Sequence, residues 1–388
     1  MQLNFKLKQT QIAIIAATLM VGVVSCKKDK VEIDDESAMA SVAEQYVNHT
    51  VVPTYKNLAT YTEQLASQMQ TLKETKSQEA LNQVCETFLN ARAWWEKSEA
   101  FLFGAAGDYG IDPHIDSWPL DEDAFNTMMT NEAQINAMNS EDGDQYAGEI
   151  LGNALLGFHG IEYIIFSNGT PKAVGTISDK ELIYATAVAG DLRNRCFQLE
   201  VAWAGEANAP AAHVAKLNDL ELAYTVSGGA LSYGENMTSA GQPGSHYASM
   251  AHAMMEILDG CAAIADEVGT SKIGKPYSDE DASYIESPYS QTSTIDFYNN
   301  IISVENAYYG GIEGQRDENK SLHKYIADRD SELDKKVTDA ISNALSKIDA
   351  MPRPFVNNRN DARNGAALAA CQALDEALAE AKSKIADL

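Results

Sequence analysis

The stretch Ile150-Leu151-Gly152-Asn153-Ala154-Leu155-Leu156-Gly157-Phe158-His159-Gly160-Ile161-Glu162-Tyr163-Ile164-Ile165-Phe166 is apolar almost throughout and has the length of a buried helix. His159 and Glu162, three apart, share one face of such a helix, with Cβ atoms roughly 5–6 Å apart. An imidazole and a carboxylate at that spacing can converge on one metal ion or one bridging water. Gly157 and Gly160 remove bulk beside the histidine, so another backbone or a ligand can come close. A hydrogen-bonded core histidine fits the same pattern, and spacing alone does not separate the two.

Outward from this segment the chain reads as helix after helix. The apolar stripe Val42, Tyr46, Leu58, Leu65, Met69 and Leu72 predicts helix from Ser37 to Glu74, bent near Pro53. Gln78–Phe103 continues the pattern with Leu81, Val84, Phe88 and Trp95. The run Ala105–Leu120 is rich in Gly, Pro and Asp and predicts a structured loop. Asp121 or Asp123 suits the cap of a short helix running toward Met138. Ser167-Asn168-Gly169-Thr170-Pro171 is strong turn chemistry, and Ser178 is placed to cap a long helix over Asp179–Trp203. Later segments, His213–Ala240, His246–Val268, Thr292–Tyr309, Lys320–Ile348 and Arg363–Ile385, complete an all-α fold. No sustained period-two alternation predicts a sheet.

Gly205–Pro210 is the best junction, dividing the body into a first helical half over 37–207 and a second over 208–388. A faint internal echo pairs Ser98-Glu99-Ala100-Phe101 with Glu286-Ser287-Pro288-Tyr289, and Leu155–His159 with Ile301–Glu305. It predicts two bundle-like halves related by a repeat, of which only the first carries the histidine.

The first 25 residues belong to no fold. Lys6 and Lys8 precede the uncharged apolar run Ile12–Val24, which is short for a membrane span and laid out as an export signal. Val23-Val24-Ser25-Cys26 resembles a bacterial lipobox, which implies lipid modification of Cys26 and a charged tether over 26–36. The protein is then expected in the bacterial cell envelope, held to a membrane through Cys26. Removing residues 1–25 takes away two lysines and no acids, so the net charge of −27 becomes −29. A chain this acidic, with no basic stripe, is not expected to bind nucleic acid. Cys85, Cys196, Cys261 and Cys371 are far apart, with no C-x-x-C, and read as single buried helix residues rather than a disulfide or zinc framework.

The standard metalloprotease, phosphate-loop, nucleophile-elbow and dinucleotide motifs are missing. What remains is carboxylate chemistry. Glu96 and Glu99 form a second i,i+3 pair beside Trp94, Trp95 and Phe101, where an unpartnered acid is costly. The loop Ile111–Asp121 holds Asp112, His114 and Asp116. A Glu pair near a His-x-x-Glu helix is partly like the carboxylate-bridged di-iron bundles, and one histidine among acids suits iron better than soft copper. His252 and Glu256 at i,i+4 read as a solvated or structural pair.

Several segments together resemble the imelysin-like family. Gly157-Phe158-His159-Gly160-Ile161-Glu162 matches its G-x-H-x-x-E pattern. Trp94-Trp95-Glu96-Lys97-Ser98-Glu99 and Ile115-Asp116-Ser117-Trp118-Pro119-Leu120-Asp121 are similar to two further signatures, and Glu286-Ser287-Pro288-Tyr289-Ser290 is similar to its second half. The resemblance implies an all-helical fold with the motif near the meeting of two halves, in an envelope protein tied to iron. It places His159 and Glu162 as the motif pair, Glu96, Glu99, Asp116 and Asp121 as surrounding acids, and Glu235 in a looser second-half match. The expected ligand is a divalent or ferric ion or its chelate, iron first and zinc second, with iron-transport components as partners. The family's metallopeptidase label implies hydrolysis instead. A zinc hydrolase needs about three protein ligands and a base, more than one His-x-x-Glu supplies. A third reading is a non-catalytic interaction protein with a structural His-Glu pair.

Overall fold

The computed structural model describes residues 35–385. The leader, the lipobox at Cys26 and most of the tether lie outside the described residues. The rest is helix with one tiny antiparallel pair, Phe166–Ser167 against Thr170–Pro171, closed by the turn that Asn168 and Gly169 make. Among the described residues no helix is long and apolar enough to cross a membrane.

Local chemistry sets most helix ends. The Ser178 hydroxyl accepts from the Glu181 amide while the Glu181 carboxylate accepts from the Ser178 amide, a capping box that starts Asp179–Ala204. Pro53 sits in the first turn of Val52–Thr75, where a missing N–H costs no helical bond, and the expected bend is a widened π turn over Val47–Val51. Ser331–Asp349 buries Leu333, Val337, Ile341, Ala344 and Ile348, a stripe at helical spacing. Each large side chain so buried stabilises the fold by about 1.5–3 kcal/mol.

Val52–Thr75, Gln78–Glu96 and Asp179–Ala204 pack side by side, and Met250–Asp266, Ser331–Asp349 and Ala362–Lys384 form a second group. Ser293–Tyr308 touches both, lying against Gln78–Glu96 on one side and Ser331–Asp349 on the other. One buried apolar cluster therefore runs through both groups, with a small satellite around Phe197, Val201 and Leu217. Cys85, Cys196, Cys261 and Cys371 are free and buried, as their spacing predicts.

Several sequence expectations are modified: Gln78–Phe103 ends as an α-helix at Glu96, and Lys320–Ile348 is broken between Ala327 and Ser331. Ile150–Phe166 is not one helix: a helix ends at Ile150, the chain runs through a 3-10 turn at Asn153–Leu155, and a new helix spans Gly157–Ile165. Gly157 has φ +67°, and a Cβ there would stand 1.8 Å from the Ile115 carbonyl oxygen. Only glycine allows this approach, which sets the His159 turn directly against the segment leading to Asp116. The Ala105–Leu120 loop contains two helical turns, Ala105–Asp108 and Ile111–Ile115. His213–Ala240 is interrupted, with Ser227 and Gly228 at positive φ between Ala211–Asp219 and Tyr233–Thr238. Conversely, Met250–Asp266 continues past its expected end as a π turn over Glu267–Ile273.

Candidate functional site

Five of the residues singled out in the sequence, His159, Glu162, Glu96, Glu99 and Asp116, meet in one buried polar core. The Gly157–Ile165 helix projects His159 and Glu162 from consecutive turns, and the two bond as their spacing predicts, Nδ1 to Oε2 at 3.0 Å. The other ring nitrogen of His159 reaches Asp116 Oδ1 at 3.0 Å. Asp116 also accepts from the Trp95 indole at 2.6 Å and pairs with the Arg92 guanidinium. Glu162 Oε1 accepts from the Ser290 amide and hydroxyl, both at 2.7 Å, and from the Tyr289 amide at 3.2 Å. The histidine thus bridges two carboxylates that are themselves fully bonded.

The end of the Gln78–Glu96 helix and the turn after it form the other part. Arg92 Nη2 lies 2.5 Å from Glu96 Oε1 and 3.0 Å from Glu286 Oε1. The Lys272 ammonium donates to Glu286 Oε1 at 2.8 Å and Asn300 Oδ1 at 3.3 Å. Glu99 and Glu96 stand 3.8 and 3.9 Å from that ammonium. Asn300 donates to Glu96 Oε2 at 2.5 Å. Nearby, Asp296 accepts from the Ser287 hydroxyl at 2.6 Å. Glu96, Glu99 and Asp116 each offer an oxygen within 4.8 Å of the others, a spacing that one metal ion could span.

Charge is not balanced here. Among the described residues, six buried acids (Glu96, Glu99, Asp116, Glu162, Glu286 and Asp296) face three buried bases, Arg92, His159 and Lys272. Burial alone disfavours every one of these charges, and only specific partners restore them. For Asp116 the burial penalty is outweighed by Arg92 and His159, which hold its carboxyl below the usual range. For His159 burial favours the neutral ring, but the hydrogen bonds to Asp116 and Glu162 prevail and raise its pKa to about 9. Both ring nitrogens then donate, so in this arrangement neither carries a lone pair toward a metal. Glu96 and Glu99 behave oppositely. Burial pushes both well above the ordinary carboxylate range, against the pull of Arg92 and Lys272 on Glu96 and of Lys272 on Glu99. Glu286 Oε2 is buried without a hydrogen bond, while Glu96 Oε1 is met by Arg92. Asp112, half-buried beside this end, is raised to about 7 by burial and by Asp116 and Glu267.

Not every candidate arrives. Asp121 caps Glu122–Met129 through the Ala124 amide at 2.9 Å, and Glu235 closes a capping box with Ser232 on Tyr233–Thr238. Both carboxylates serve helix ends rather than the core. His114, from the same loop as Asp116, turns away to Asp191 at 2.8 Å. His252 is exposed and accepts from the Ala248 amide through Nδ1. Arg92, Lys272, Glu286, Asp296 and Asn300 were not anticipated. Arg92 stands one turn before Glu96, a spacing that marks an ion pair; Lys272 carries no local signal at all.

An all-helical protein in which two helix groups enclose an acid-rich core around a Gly-x-His-x-x-Glu helix is the class these features define. The family model for imelysin, classed as a peptidase, matches residues 51–381, and the chain belongs to that family. Iron-regulated protein A of Synechococcus elongatus is 24% identical over 369 residues, covering 94% of this chain and 89% of its own. The crystal structure of a protein described as an iron-regulated protein A precursor, from Parabacteroides distasonis, superposes with a TM-score of 0.76 at 28% identity, covering 90% of this chain and 95% of its own. An imelysin-like protein from Psychrobacter arcticum shares the fold, with a TM-score of 0.58 at 12% identity over 91% and 94% of the two chains.

Proposed function

We propose that this chain binds a metal cation, iron foremost, in the polar core, with Glu96, Glu99 and Asp116 as its oxygen ligands. The observation that carries the reading is the convergence of these three carboxylates inside a core where acids outnumber bases. A bound di- or trivalent ion would supply the missing positive charge and offset the burial that disfavours the charged forms of Glu96 and Glu99. Three hard oxygen donors suit iron or manganese rather than copper. The names of the relatives from Synechococcus and Parabacteroides favour iron within that class. In this reading His159 and Glu162 position the site. Their bonds hold Asp116 and Ser290 in place from behind, the part that residues around ligands play in metal centres. The protein would act in the cell envelope, attached through Cys26, and deliver its ion to transport components.

Titration of purified protein with ferrous, ferric, manganous and zinc ions tests the site. Wild type is expected to bind iron, and Glu99→Gln to lose at least tenfold in affinity. Equal affinity in the two proteins would overturn the ligand assignment.

A further inference from the structure

Lys272 reaches the core from an unusual place. Its backbone belongs to the π turn Glu267–Ile273, where the helix is wound one residue wider than usual, a feature often found at functional sites. The side chain is 2% exposed, and its ammonium contacts Glu286 at 2.8 Å, Asn300 at 3.3 Å, Glu99 at 3.8 Å and Glu96 at 3.9 Å. An ammonium has three donors. Two are spent on Glu286 and Asn300, and the third faces two carboxylates at a distance too long for a hydrogen bond. Glu286 Oε2 is left without a donor in the same space. Arg92 also reaches Glu96 and Glu286, but Glu99 has only this distant ammonium as its ion-pair partner.

We infer that Lys272 is a resident counter-cation, its ammonium standing at the Glu96–Glu99 side of the carboxylate cage that a metal ion would enter, so that binding requires its withdrawal. The inference rests on the metal-binding reading above. A metal ion added beside both Arg92 and Lys272, which already share Glu286, would be strongly repelled. The ammonium therefore competes with the metal and sets its affinity. It also keeps the metal-free core from burying uncompensated charge, which would destabilise the fold. The π turn supplies slack for the exchange. A change to tighter winding would draw the stem out of the core, and Glu267, at the exposed start of the same turn, offers a carboxylate for the ammonium outside it.

The test uses Lys272→Met, which keeps the stem and removes the charge, and Lys272→Arg, whose planar guanidinium overfills the cage. Calorimetric titration with Mn(II), and with Fe(II) under nitrogen, is run beside thermal melts with and without metal. The expected result is at least tenfold tighter binding for Lys272→Met and at least tenfold weaker binding for Lys272→Arg. The metal-induced rise in melting temperature should be larger for Lys272→Met than for wild type. If Lys272→Met folds only when Mn(II) is present during refolding, that recovery supports the inference, and failure to recover overturns it. Equal or weaker binding by a folded Lys272→Met overturns the inference while leaving the metal-binding reading intact. Binding by Lys272→Met but not by wild type upholds the inference and removes the reading for the natural protein. No binding by either removes both.

Discussion

The two ends of the polar core are built from the same residue types and behave differently. At the His159 end, Asp116 and Glu162 receive bonds from a guanidinium, an indole, an imidazole, two amides and a hydroxyl. At the Glu99 end, the ammonium bonds Glu286 but stands 3.8 and 3.9 Å from Glu99 and Glu96, and the buried Glu286 Oε2 lacks a donor. The first end is held by short bonds, and of its two acids only Asp116 also belongs to the proposed ligand set. The second is under-bonded, and burial pushes the pKa values of Glu96 and Glu99 up despite the nearby bases. The histidine of the sequence motif thus marks the rigid end rather than the reactive one.

Substitutions should separate the ends, starting with the group that joins them. Arg92→Met leaves Asp116, Glu96 and Glu286 buried without their shared partner, and is expected to cost about 3–5 kcal/mol in urea unfolding. A loss under about 1 kcal/mol would mean the two ends are not coupled through Arg92.

His159 provides the next test, through pH. Its folded pKa of about 9 lies above the unfolded value near 6.5. The stabilisation is fully present below about pH 6.5 and disappears as pH rises through 9, and is worth roughly 3 kcal/mol. Wild type minus His159→Gln should therefore show a stability difference that shrinks over that window. A flat difference would show that the ring is not held as imidazolium.

A smaller loss is expected for Ser290→Ala. It removes one of three bonds to Glu162 Oε1 and should lower stability by about 1.5–3 kcal/mol, with metal affinity within about twofold of wild type.

Glu99→Gln should do the reverse. Glu99 accepts no hydrogen bond from any described residue, so neutralising it relieves repulsion, and stability should hold within about 1 kcal/mol or rise. Its effect belongs in the metal titration. A large destabilisation with unchanged binding would reverse the comparison.

Much of this was legible in the chain itself. Apolar stripes located nearly every long helix, and Ser178 located a cap to the residue. The i,i+3 pairs located Glu96, Glu99, His159 and Glu162. Asp121 and Glu235 were legible too, though as something else: an Asp before a helical run and the spacing Ser232-x-x-Glu235 are cap signatures, and both residues do that work. The break before Gly157 was hidden because leucines on either side continue the apolar run, and only the carbonyl of Ile115 requires the glycine.

Two turns far apart in the chain make long-range bonds to helices. The turn after Gln78–Glu96 bonds the second-half helix, with the Ala100 amide donating to Ser303. The turn at Ser290 bonds the first-half helix through Glu162.

Sequence by itself determined the helices, their inward faces and the identity of the motif pair, because periodicity, capping and i,i+3 spacing act within a few residues. Tertiary structure decided which acids are satisfied and which are not. Glu162 is bonded by residues 127 and 128 positions away, and Glu96 by an asparagine 204 positions away. Lys272 enters from a turn that no pattern announces. The charge state of a buried carboxylate depends on what lies within a few ångströms of it, and those neighbours come together only when distant segments pack.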